Sequence, residues 1–489
     1  MMKVHSIRYN FIMNFLLTAS NFIFPLITFP YVARVLGASG NGKVAFVASV
    51  ANYFALVASL GIPTYGIRAC AQARDDRNQL SKTVHELLTI NSITTLIVIA
   101  TYVVAVMTIP KFAEEHVLFT INGVNIVLNL FGMNWLYQAL EQYDYITTRS
   151  VLFKIISILL MFLLVHSSDD YVIYGAISVF AAAGSNVFNI VRSRKLISYH
   201  HLSDYNLKRH VRPIVLLSAQ TLAVSIYANL DIVMLGFFRD ATDVGYYNAS
   251  MRVKSLLLSL VASLANVLLP RMSYYVKEGL HDEFLSLMGQ ALRFTTMLSA
   301  PLCVYFFCFA KYALLLLAGS EYLEAVPTLQ AIVLAVLPNG LTGVLGIQVL
   351  VPLERESNLL VSVIIGAVCD FSLNLILIPL CGAFGAAIAT TIAEISVFAV
   401  QAWYCNDLLS SVQWKMASMR YVLAAVLSCI PSVALTYVIQ DNPLISLTVS
   451  TFLFGIVYSL SLLLLKDPDF SSYARIIAGK LSGKRQNTQ

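Results

Sequence analysis

Charge is what this chain has least of. Only 12% of its 489 residues are Asp, Glu, Lys or Arg, while 58% are hydrophobic. Soluble domains run near 25% charged and about 45–50% apolar. So few charges cannot cover a soluble body of this length, which excludes cytosolic and secreted globular folds. Cysteine is scarce as well: the seven present form no Cys-x-x-Cys pair and sit mostly in apolar stretches. They read as small apolar fillers, not as a disulfide framework or a thiolate metal site. No P-loop occurs, and His85-Glu86 lacks the second histidine of a zinc-protease motif, so neither ATP hydrolysis nor that chemistry is built in. The alternating ten-residue runs of an outer-membrane barrel are absent too.

What is there is apolar sequence in span-sized pieces. A membrane helix needs about 20 apolar residues, and fourteen such stretches follow one another from Phe11–Tyr31 to Leu444–Leu465. Backbone groups in lipid must be satisfied within the segment, so helices are expected. The predicted fold class is an all-α integral membrane protein: two pseudo-symmetric six-helix lobes plus two C-terminal helices. The expected divisions are 1–200, 201–410 and 411–489, the last holding two helices and a tail.

Lysine and arginine set the orientation. With the N-terminus inside, twenty-three of the 32 fall in cytoplasmic segments and five (Arg34, Lys43, Lys111, Arg239, Lys311) outside. Both termini are therefore expected in the cytoplasm, and the net charge of +6 serves topology, not nucleic-acid binding. The basic stretch from Arg192 to Arg212 separates six spans from six. Val35-Leu36-Gly37, a turn and Gly42 resemble Met234-Leu235-Gly236, a turn and Gly245, as in transporters built from parallel repeats. With short external loops and few outer carboxylates there is no aqueous catalytic surface, so no enzyme activity, catalytic residue or cofactor is expected. Gradient-driven transport is what remains.

Four stretches resemble one family. They are Phe29–Gly37 with Gly42–Phe46, Leu60–Arg68, Trp135–Glu141 with Tyr145–Thr147, and Gly346–Pro352 with Gly382–Glu394. In order and combination they are similar to bacterial Wzx-type oligosaccharide flippases of the multidrug/oligosaccharidyl-lipid/polysaccharide exporter superfamily. The resemblance implies movement of an undecaprenyl-diphosphate-linked oligosaccharide from the inner to the outer leaflet of the bacterial cytoplasmic membrane. It also implies the bilayer, a polysaccharide polymerase and glycosyltransferases as partners. Alternatives are a cation-coupled multidrug exporter of the same superfamily, a lipid II flippase, or a membrane polysaccharide polymerase or ligase.

Ionisable residues inside spans are the short list for mechanism. Arg252 is the foremost diphosphate candidate, because guanidinium matches phosphate oxygens bidentately and relatives carry a functional arginine at this place. Lys254 is two residues on, about 200° around the helix; a salt bridge from Asp231 to this pair is the structural alternative. Arg34 reads as an interfacial anchor at the first external turn, and Lys154 and Arg293 as snorkelling residues; all three are also diphosphate candidates, the last two in the inward-open state. Asp370 and Asn374 share a helix face, as do Thr390 and Glu394, and hard oxygens at mid-membrane suit Na⁺ or a proton. The resemblance implies a sodium set of Asp231, Asp370, Asn374 and Thr390; a polar knot joining helices is the alternative. Pro25 and Pro30 in the first span can bend it, making that helix a candidate gate.

Overall fold

The computed structural model describes residues 6–200, 205–436 and 442–472; the expected cytoplasmic tail beyond these lies outside the described residues. Among them there is helix and no strand. The helices that frame the sites are α1 (Ile7–Ser59), α2 (Ile62–Gln72), α3 (Arg77–Thr108), α4 (His116–Leu130), α5 (Asn134–Ala139), α6 (Tyr143–Leu164), α7 (Tyr171–Ala183), α8 (Val187–Ser193) and α9 (Lys208–Phe238). They continue with α10 (Ala241–Lys277), α11 (His281–Cys308), α12 (Val326–Val333), α13 (Val336–Thr342), α14 (Glu356–Tyr404), α15 (Lys415–Thr436) and α16 (Pro443–Leu464).

Among the described residues ten helical stretches are long and apolar enough to cross a membrane. Two of them are double. Gly37, at φ 68°, breaks α1, and Gly382, at φ 58°, breaks α14; glycine populates this left-handed region without a Cβ penalty. With α9 and α10, which are 31 and 37 residues long, the arrangement is compatible with fourteen spans. Lipid-facing chemistry is plain on the outside: Leu96, Met107 and Leu464 are 72%, 78% and 82% exposed. The protein is a multi-pass membrane protein.

Three expected spans are not continuous helices. The fourth stops at Leu130 and restarts at Asn134. The sixth passes through a 3₁₀ turn at Gly184–Asn186. The tenth ends in a π-helical stretch, Gly343–Leu350. Hydropathy sees an unbroken apolar run in each case, because glycine and small residues interrupt the backbone without lowering hydrophobicity.

The chain divides into two compact units, Met1–Asn248 and Ala249–Gln489. The first contains α9, which is seventh in the order of spans but packs on α1 and α2. Its core gathers Ile62, Leu80, Leu87, Leu136 and Tyr137. The second has its own core around Phe284, Met288, Leu292, Leu345 and Val349.

Candidate functional site

In the second unit two buried charges and an amide meet from three helices. Lys254 of α10 is 4% exposed, and its Nζ lies 3.2 Å from Oε1 of Glu394 on α14. The Asn339 amide of α13 donates to the same oxygen at 2.6 Å. Glu394 is thus held by an ammonium and an amide in a setting where an unpaired carboxylate would be costly. Asp370 and Asn374 sit one turn apart on the first half of α14, both buried. Thr390, on the second half, gives its hydroxyl proton to the Ala386 carbonyl at 2.9 Å. Carboxylate, amide and hydroxyl oxygens are the donors a small hard cation takes. Among the described residues no group of three His, Cys, Asp or Glu is gathered as a metal site.

The other expected site residues are placed as follows. Arg252 is half-buried on α10. Asp231 belongs to the first unit, where its carboxylate accepts the Tyr247 hydroxyl. Arg34 is exposed and donates to the Pro30 carbonyl at 2.9 Å. Lys154 of α6 reaches back to α1, donating to Ser20 Oγ at 2.8 Å and to Asn21 Oδ1. It therefore ties down the turn just before Pro25. Pro25 and Pro30 lie inside α1, whose sharp break is at Gly37 instead. Arg293 pairs with Asp469 at 2.6 Å, linking α11 to the segment after α16.

The first unit holds a cavity that sequence reasoning missed. It measures about 370 Å³, and none of its eighteen lining residues is charged. Six are asparagines: Asn52, Asn91, Asn129, Asn134, Asn186 and Asn229. Trp135 and Tyr53 supply aromatic surface. The break between α4 and α5 builds one wall. Met133 takes a left-handed conformation, φ 42°, at a cost of about 1–3 kcal/mol for a non-glycine residue, and so turns Asn134 and Trp135 onto the cavity. A Cβ on Gly66 would lie 2.8 Å from the Trp135 ring, so the indole is seated directly on that glycine.

Behind this wall lies Arg149, a residue expected in a cytoplasmic segment but only 7% exposed. It donates to Asn134 Oδ1 at 2.8 Å and to Asn189 Oδ1. The available signal was the recurrence of asparagine inside apolar spans; attention to ionisable groups alone passes over it.

A second polar cluster closes the first unit near the start of α9. The buried Glu86 carboxylate pairs with Arg209 and with His210 Nε2 at 2.8 Å, and accepts the Asn206 N–H at 2.6 Å. The other ring nitrogen of His210 meets the Tyr65 hydroxyl at 2.8 Å.

Compared with known proteins, residues 7–276 match the family model described as polysaccharide biosynthesis protein. The chain belongs to that family. Within it, this member is 28% identical to the "Putative O-antigen transporter" of Escherichia coli (strain K12), over 61% of this chain and 75% of that protein. It is 22% identical to the protein of the same description from Shigella dysenteriae, over 79% of this chain and 97% of that one. The fold matches the solved structure of the lipid II flippase MurJ in an inward closed conformation, with a TM-score of 0.71, 15% identity, and coverage of 94% of this chain and 99% of that one. It also matches an inward-facing multidrug resistance MATE family transporter of the MOP superfamily, at TM-score 0.61 and 13% identity, covering 79% and 95%. The expected polysaccharide-export family holds at the level of this family model, and the all-helical membrane fold is the one these two solved structures share. Both of these relatives are described as putative transporters, and the two solved structures as a flippase and a transporter.

Proposed function

We propose that this protein flips an undecaprenyl-diphosphate-linked oligosaccharide from the inner to the outer leaflet of the bacterial cytoplasmic membrane, for surface polysaccharide biosynthesis. Both termini are cytoplasmic in this reading. The cycle is alternating access: the polar head group enters the protein while the prenyl tail stays in lipid. Arg252 contacts the diphosphate, with Lys154 and Arg293 as further cationic contacts in the inward-open state and Arg34 as one on the outer side. Lys254 is assigned to Glu394 first, since a buried ammonium paired with a carboxylate is not free to bind phosphate as well. An ion gradient, Na⁺ or H⁺, resets the cycle through Asp231, Asp370, Asn374, Thr390 and Glu394, and the first span with Pro25 and Pro30 acts as a gate. Glycosyltransferases make the substrate, and a polymerase consumes the product.

The observation that carries this reading is the uncharged polar cavity among apolar helices. A hydroxyl-rich head group finds hydrogen-bonding partners there, whereas a cationic drug finds no carboxylate, which favours the flippase over the exporter. The relatives' descriptions support the same choice. The test is a vesicle assay with a fluorescent lipid-linked oligosaccharide. Outer-leaflet exposure should rise with the folded protein present; no rise with the cognate glycan rejects the reading.

A further inference from the structure

The asparagine-lined cavity carries chemistry that narrows the substrate. Each side-chain amide offers two N–H donors and one carbonyl acceptor, and a sugar hydroxyl both donates and accepts. A wall of amides can therefore satisfy a pyranose whichever way its hydroxyls turn. Aromatic surface from Trp135 and Tyr53 suits the apolar C–H face of such a ring. The volume of about 370 Å³ lies within the range of small-molecule sites, about 300–1,000 Å³.

Two details point to a bound ligand. The Oδ1 atom of Asn91 is buried without a hydrogen-bond partner, and the residue is 5% exposed. An acceptor left this way costs about 1–3 kcal/mol, unless a ligand supplies the donor. Asn134 is the complementary case. Its Oδ1 accepts from Arg149 at 2.8 Å and stands 3.4 Å from Asn189 Nδ2, which leaves its own Nδ2 to donate into the cavity. A guanidinium behind that oxygen polarises the amide and strengthens the donor. The cavity thus has a sharpened donor at Asn134 and, on the wall formed by Asn91, a buried acceptor in want of a donor.

We propose that this cavity is a subsite for one uncharged sugar residue of the lipid-linked substrate, with Asn91 accepting from a hydroxyl or amide N–H and Asn134 donating to a sugar oxygen. This rests on the flippase reading above. An acidic sugar is disfavoured because its carboxylate would be buried beside no cationic lining residue; the Arg149 Nη groups are already committed to Asn134, Asn189 and the Ser185 carbonyl. In the expected topology Asn91, Asn134 and Asn186 lie in the cytoplasmic halves of spans three, four and six, on the side where a substrate made in the cytoplasm arrives, while Asn52 and Ser225 reach the middle of spans two and seven.

Three soluble short-chain prenyl-diphosphate probes test it, measured by calorimetric binding to purified full-length protein. One carries N-acetylglucosamine, one glucuronic acid and one no sugar. The neutral-sugar probe should bind tightest. Asn91→Ala and Asn134→Ala should each weaken it about tenfold, the equivalent of 1.4 kcal/mol, and leave the bare diphosphate unchanged. Should Asn134→Ala unfold by stranding Arg149, Gln138→Leu on the same wall takes its place. Equal weakening of the sugar-bearing and bare probes, no weakening at all, or tighter binding of the glucuronate probe overturns the subsite. If wild-type protein binds no probe, the flippase reading falls with it; if it binds bare and neutral-sugar probes equally, only the subsite falls.

Discussion

Gly42 and Gly245 clasp each other's helices. A Cβ on Gly42 would lie 1.7 Å from the Ala241 carbonyl oxygen, and one on Gly245 would lie 2.0 Å from that of Ala38. The two contacts are reciprocal: each glycine, four residues after an alanine, rests on the alanine of the other pair. These are the two segments whose sequences resemble each other, meeting at one close crossing. The crossing gives the faint likeness between Val35–Gly42 and Met234–Gly245 a physical cause, since only glycine permits backbones to approach this closely.

Replacing either glycine by alanine should therefore force the crossing apart. The expected cost is about 1–3 kcal/mol, as for overpacking a tight interior, seen as a lower thermal midpoint in detergent. A cysteine placed at Ala38 should become more reactive toward a membrane-impermeant maleimide in the Gly245→Ala background. Unchanged reactivity and midpoint would mean that the crossing relaxes at little cost.

The Lys254–Glu394 pair yields a double-mutant prediction. Removing one partner strands a buried charge, at about 3–5 kcal/mol, so Lys254→Met or Glu394→Gln alone should sharply reduce the folded yield. The double substitution should recover most of the loss, because both charges go together. Additive losses in the folded yield would show that each residue acts through other contacts.

Arg252→Ala should reduce lipid-linked oligosaccharide flipping by about 10- to 100-fold, the worth of one or two charge-assisted hydrogen bonds. Expression and thermal midpoint should stay near wild type, and Arg252→Lys should restore only part of the activity, since lysine lacks the planar fork. Full activity in the alanine variant removes this residue from the diphosphate site.

Asp370→Asn should uncouple flipping from the ion gradient. Wild-type rates should respond to an imposed Na⁺ or pH gradient, and the variant's should not. A variant that keeps the wild-type response places the coupling site elsewhere.

The Glu86 cluster predicts local protection of the segment that enters α9. Glu86→Gln removes the anion shared by Arg209 and His210, with each charge-assisted bond worth about 1.5–3 kcal/mol. Trypsin should then cut at Lys208 or Arg209 faster than in wild type, which limited proteolysis with mass spectrometry reads directly.

The sequence by itself determined the class, the membrane setting and the order of the spans. These follow from local quantities: hydropathy over about 20 residues, the bias of lysine and arginine, and glycines at the breaks Gly37 and Gly382. It also singled out Lys254, Asp370 and Glu394, because a charge in an apolar helix is conspicuous wherever the helix packs. Tertiary structure decided the partners. That Lys254 meets Glu394, 140 residues away, depends on how helices pack, and helical spacing alone says nothing of it. The same holds for the cavity. Asparagines from Asn52 to Asn229 are unremarkable one at a time, and their meeting is a property of the packed bundle. Arg149 makes the point most sharply: a basic residue near a span end reads as interfacial, yet packing buries it behind Asn134, where its charge orients an amide.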